Sequence, residues 1–164
     1  MIRYDAAWRR PALLAAMAAA ALLAGMLVYL IGRPPGHAMW IPDLPIAPRP
    51  LLFGPIGAWL PSFVHPLAFA LLTAAVLPAG SPWRYGGCAA WGAVDVAFEL
   101  GQHAALEATW LDLAERGLAP VPLARYFIHG TFDVADLVAA MAGALAAAAC
   151  LRFLDRFKEN SHAR

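Results

Sequence analysis

From Pro11 to Ile31 the chain carries no charged side chain, and an apolar run of that length restricts the fold more than any other feature. A helix needs about 20 predominantly apolar residues to cross a bilayer, so this run has the composition and length of a membrane span. Arg3, Arg9 and Arg10 precede it, as in a secretory signal. Its apolar core is longer than the roughly 7–15 residues of a signal h-region, and no small-x-small cleavage site follows, which marks it as a retained span.

Three further runs extend this to an all-α polytopic bundle of about four transmembrane helices. Residues 61–77 carry only His65 as an ionisable group. Residues 86–106 contain Asp95, Glu99 and His103, and form the weakest span, because a central carboxylate costs about 2.5–3.5 kcal/mol on an insertion scale. Residues 134–151 begin with Asp136 close by and are otherwise uncharged and rich in alanine. There Ala139, Gly143 and Ala147 recur every fourth residue, a helix-packing stripe that lets another helix approach closely.

Composition agrees. Hydrophobic residues make up 62% and charged residues 14%, too little polar surface for a domain facing water all round. A net charge of +1 leaves no basic stripe for phosphates, which excludes nucleic acid as a partner. Cys88 and Cys150 both lie in apolar runs and read as small buried hydrophobes rather than a disulfide framework.

A single membrane domain over 11–153 is thus expected between short tails, 1–10 and 154–164. Basic residues set its direction. Arg3, Arg9, Arg10, Arg84, Arg152, Arg156, Lys158 and Arg164 fall on one side, against Arg33, Arg49, Arg116 and Arg125 on the other. That bias places both termini in the cytoplasm of a cell (inner) membrane. Trp40, Trp59 and Trp110 then sit near the outer boundary, with Trp8, Trp83 and Trp91 towards the inner one. The outer loop 32–60 holds Pro34, Pro35, Pro42, Pro45, Pro48, Pro50 and Pro55. It cannot run as a regular helix through its middle, and is expected to roof the outer end of the bundle. The outer loop 107–133 is expected to carry a short amphipathic turn around Trp110.

Ionisable groups at membrane depth are expensive and mark functional sites. Asp95, Glu99, Gln102 and His103 follow a helical repeat that places them on one face of the third span. With the spans alternating in direction, Glu99, Gln102 and His103 meet His65, Asp133 and Asp136 near one depth in the outer leaflet. The expectation is an outward-open polar pocket in which His65 and Glu99 form an acid–base pair. The bland reading of each residue is a packing hydrogen bond, or for Asp133 and Asp136 a helix cap. No HExxH, CxxC, GxSxG or phosphate-loop pattern occurs, so neither a metal, a cofactor nor a nucleophile is expected.

Three blocks of these residues resemble the VanZ-like family of small membrane proteins. PSFVHPLAFALL at 61–72 is similar to its H-x-x-x-[FY]-x-x-L signature, and ELGQ at 99–102 to its E-x-x-Q. GTFDVADLVAAMAG at 130–143 resembles its last block, in which an Asp precedes an N-x-x-G helix. The resemblance covers roughly residues 50–150 and implies His65, Glu99, Gln102 and Asp136 as site residues. Ala140 stands where the family has Asn, and Gly130 where an Arg is frequent, so the implied ligand differs or the implied activity is lost.

The family takes its name from a member associated with low-level resistance to the glycopeptide teicoplanin. A protein that binds or modifies a cell-envelope amphiphile, with membrane lipids around it, is therefore one reading, and antibiotic resistance one consequence. A structural or assembly subunit of a homo-oligomer or larger membrane complex, joined through the small-residue stripe, is the other.

Overall fold

The computed structural model describes residues 5–32 and 52–162, with side chains from 10–32 and 52–156. Within these bounds the chain is helical, with no strand. Helix α1 spans Asp5–Leu27 and closes in a π-helical turn, Val28–Gly32. Helix α2 spans Ile56–Val76, α3 Trp83–Gly101, α4 Glu107–Glu115, α5 Val121–His129 and α6 Val134–His162, with a 3-10 turn at Ala104–Leu106. The expectations for the proline-rich segment 33–51, including Arg33, Trp40 and Arg49, lie outside the described residues, as do those for the side chains of Trp8 and Lys158.

Three helical stretches are long and apolar enough to cross a membrane: Arg10–Gly32, Ile56–Val76 and Val134–Arg156. Helix α3 has 19 residues but carries Arg84, Asp95 and Glu99, and is not among them. The expected spans also shift at their ends. Helix α2 starts at Ile56 rather than at Pro61, because Gly54 adopts a left-handed φ of 52° that turns the chain into the helix. Helix α6 continues well past residue 151 as Leu151 and Leu154 keep packing on the core. Pro61 and Pro66 lie inside α2 and remove two backbone donors, so the carbonyls of Gly57 and Ser62 lack their usual i+4 partners.

The helices alternate in direction, as the two ends of the core show. Leu14 and Ala18 from early α1 pack with Leu71 and Ala74 from late α2, Cys88 from early α3, and Ala147 and Leu151 from α6. At the opposite end Gly25 of α1 faces Val64 of α2, and Glu99 of α3 reaches the start of α6. Helix α2 is central and packs on α1, α3 and α6.

Ala139, Gly143 and Ala147 are all buried. A Cβ at Gly143 would collide with the Phe63 carbonyl oxygen and come within 3.0 Å of Pro66 Cγ. The stripe is thus covered by α2 of the same chain. A Cβ at Gly92 of α3 would meet Ala144 Cβ at 2.8 Å, so α3 is drawn onto α6 in the same manner.

One end of the bundle is closed by a clamp around Arg84, which is 5% exposed. Its Nε donates to the Ala74 carbonyl at 3.1 Å and its Nη1 to Asp155 Oδ1 at 3.4 Å. The Tyr85 hydroxyl donates to Asp155 Oδ2 at 3.3 Å. Three helices are tied through one guanidinium.

Replacing Gly143 by Ala is expected to destabilise the bundle by about 1–3 kcal/mol, since the obstruction is backbone that cannot swing away. Leu145→Ala, at a position 71% exposed, should change stability by less than about 0.5 kcal/mol. Unfolding of the purified chain in detergent measures both. In the same assay Asp155→Ala should cost about 1–3 kcal/mol by leaving a buried donor without its acceptor. Asp112→Ala, which breaks the exposed 2.8 Å pair with Arg116, should cost less than about 0.5 kcal/mol.

Candidate functional site

The end opposite the Arg84 clamp collects carboxylates. Glu99, in the last turn of α3, is 8% exposed, and its Oε1 accepts the Asp133 backbone N–H at 2.6 Å. Asp133 in turn accepts the Ala135 N–H at 2.8 Å through Oδ1 and so caps α6. One turn into α6, Asp136 Oδ1 accepts the Ser62 hydroxyl of α2 at 2.9 Å. These contacts join α2, α3 and α6 at one level.

Asp95 lies one turn before Glu99, half-buried, and no hydrogen bond or ion pair reaches it among the described residues. Among the described residues the ion pairs are Arg84–Asp155 and Arg116–Asp112, and none reaches Asp95, Glu99 or Asp133. The result is a set of hydrogen-bond acceptors gathered at one end of the bundle.

Gln102 and His103 correct the expectation of a single four-residue stripe. Helix α3 ends at Gly101; the Gln102 N–H turns back to the Glu99 carbonyl and the His103 backbone is extended. A helical repeat cannot be carried past that point. Gln102 remains at the cluster's edge, where its Nε2 donates to the Tyr126 hydroxyl at 3.1 Å. Gly130 makes room for it, because a Cβ there would overlap the Gln102 amide. His103 turns outward, is exposed, and accepts the Ala105 N–H at 3.2 Å, with its ring 5.2 Å from that of Phe132.

His65 also departs from expectation. It is half-buried on α2, and its ring lies 6.2 Å from that of Phe69, which stacks on Trp91 of α3 at 4.8 Å. No hydrogen bond or ion pair joins it to Glu99, so the expected acid–base pair is not formed. The Asp133 N–H occupies Glu99 instead.

The segment between α3 and α6 packs onto this end. Trp110 Nε1 of α4 donates to the Gly101 carbonyl at 2.9 Å, and its ring stacks on Phe127 of α5 at 4.2 Å. Phe127 also touches Phe98 and presses on Gly101, where a Cβ would leave 2.6 Å to its ring. Gly117, with φ 69°, supplies the left-handed turn after α4. The packing brings Tyr126 within electrostatic reach of Tyr29, Glu99 and Asp95. Partial burial, followed by those three neighbours, raises the Tyr126 phenol above its ordinary value, while the Gln102 hydrogen bond opposes the rise.

Ser62 and Tyr126 were not among the residues expected from sequence. Ser62 lies three residues before His65 and could have been found by extending the helical repeat backwards. Tyr126 carries no local signal, because it arrives through the fold of α4 and α5. Chemically, the cluster can accept hydrogen bonds and balance positive charge. Among the described residues no group of three His, Cys, Asp or Glu side chains is placed to hold a metal ion. No protein-family model, curated protein or solved structure matches the chain.

A double-mutant cycle on Ser62→Ala and Asp136→Ala should give a coupling of about 0.6 kcal/mol, the ordinary strength of an interhelical hydrogen bond in a membrane bundle. Unfolding of the four proteins in detergent measures it.

Proposed function

We propose that the protein is a VanZ-like membrane protein that crosses the cytoplasmic membrane four times, with both termini in the cytoplasm. The observation that carries this reading is Glu99, a nearly buried carboxylate on a helix packed against two apolar spans. Helix α3 lies beside α2 and α6 along its length, from Arg84 on Ala74, through Trp91 Nε1 on Thr73 Oγ1, to Glu99 on Asp133. Its 19 residues give a rise of about 28 Å, close to the roughly 30 Å of a bilayer core. Its charged side chains sit at its two ends or on the face turned to the bundle, which is how an intramembrane carboxylate is tolerated.

The carboxylates then lie on the outer side, and the cluster of Asp95, Glu99, Asp133 and Asp136, flanked by His65 and Gln102, binds or modifies a cell-envelope amphiphile. A lipid or a glycopeptide-type compound has the needed combination of an apolar body and a head rich in hydrogen-bond donors. The carboxylates of the cluster act as hydrogen-bond acceptors, which favours such a head over an anionic one. The small-residue stripe is covered by α2, so the stripe supports the fold rather than assembly into a larger complex.

Single cysteines at Ala105, Thr131 and Ser161, in a Cys88→Ala, Cys150→Ala background, test the topology. An impermeant maleimide applied to intact cells should label the first two and spare Ser161. Labelling confined to Ser161 would invert the orientation and end the envelope reading. Glu99→Ala and Asp136→Ala should leave the protein inserted while changing susceptibility to glycopeptides or the envelope-lipid profile. Unchanged susceptibility and profile in both variants would argue against a ligand at the cluster.

A further inference from the structure

At the end of the bundle around Arg84, α6 carries two exposed arginines without an acidic partner among the described residues. Asp155 is the carboxylate of α6 at this level, and it is engaged by Arg84 and by the Tyr85 hydroxyl. Arg152 and Arg156 flank it on α6, both exposed, and neither has an acidic partner within ion-pair distance among the described residues. Their spacing of one helical turn puts them on the same face, about 6 Å apart along the axis. Arg152 lies within electrostatic reach of Tyr85, so this face adjoins the start of α3. There Trp83 is 75% exposed and Tyr85 38% exposed.

Depth gives the surface its meaning. Leu151 and Leu154 still pack on the core and Arg152 and Arg156 lie on either side of Leu154, so the guanidiniums emerge over the last turn of α6 that touches the core. An exposed indole at the same level has the amphipathic character of a residue at the lipid–water boundary. Two exposed guanidiniums one turn apart present forked donors to a phosphate, and the arginine stems cover the acyl chain next to it.

We infer that the rim formed by Arg152 and Arg156 of α6 with Tyr85 of α3 binds the headgroup of an anionic phospholipid. The bound lipid lies against the groove between α3 and α6, at the end of the bundle opposite the carboxylates. Such a lipid compensates the charge that Asp155 cannot and anchors the helices at the cytoplasmic surface. This inference rests on the membrane reading above, but not on any ligand at the carboxylate cluster.

The test uses the full chain in nanodiscs of phosphatidylcholine with a minor fraction of phosphatidylglycerol. After gentle detergent extraction, the lipid retained on the purified protein is measured by mass spectrometry. Phosphatidylglycerol should be enriched over the bulk at low salt. Arg152→Gln and Arg156→Gln should each lower that enrichment about fivefold, the equivalent of about 1 kcal/mol for one basic side chain. Arg152→Lys with Arg156→Lys should retain most of it, and Arg125→Gln, an exposed residue at the other end, should leave it unchanged.

Equal retention of both lipids by the native chain, or undiminished enrichment in the doubly neutralised variant, would overturn the inference. Displacement of the lipid by soluble glycerol phosphate at low millimolar concentration would also overturn it, since the rim would then read phosphate and not lipid. Alkaline extraction of cell membranes separates the two levels. A chain released by carbonate refutes the membrane reading itself, whereas a retained chain without lipid preference refutes this site alone.

Discussion

Helix α6 approaches α2 so closely that the position facing the Phe63 carbonyl tolerates no side chain, and the rest of the bundle is arranged around that contact. Between apolar spans in lipid there is little hydrophobic drive for association, so helices are held by van der Waals contact and short-range polar bonds. Both fall off steeply with distance. Gly143 brings the two backbones together, Ala139 and Ala147 extend the seam along α6, and Gly92 brings α3 onto it through Ala144. Pro66, one turn from the contact, adds a ring that packs on Gly143 instead of a side chain that would stand off from it.

That seam determines what the two ends of the bundle do. Where α2 ends and α3 begins, the backbones are near enough for one buried guanidinium to bond Ala74 and Asp155 together. At the other end the same closeness places Ser62 against Asp136 and Glu99 against the Asp133 N–H. The two ends answer the cost of buried polarity differently. Arg84 meets an opposite charge, while Glu99 meets a neutral donor at the start of a helix, where the dipole also favours a negative group. Among the described residues Asp95, Glu99, Asp133 and Asp136 gather at one end, and Arg84, Arg152 and Arg156 at the other.

The two-faced character of α3 is legible only through its neighbours. By composition alone its three charged residues set it apart from the apolar helices. Packed in place, Arg84 and Glu99 are turned inward, and its outer face carries Val94 and Phe98, which are 43% and 41% exposed. Hydropathy averages around the helix and misses this separation of faces.

The pattern of charge and apolarity along the chain was sufficient to mark helices around 11–31, 61–77 and 134–151, to expect a further one through Asp95 and Glu99, and to pick Glu99, Asp133 and Asp136 as a group. Periodicity and burial cost act locally, so a single chain displays them. What sequence did not contain was the end of α3 at Gly101, which removed His103 from the site. Nor did it reveal the donor that occupies Glu99, the separation of His65 from that carboxylate, or the arrival of Tyr126 over the cluster. Each of these depends on partners distant along the chain, such as Phe127 on Gly101 or Asp133 on Glu99. Which polar group meets which is decided by contacts a few ångströms long, and only packing the helices brings those groups within that range.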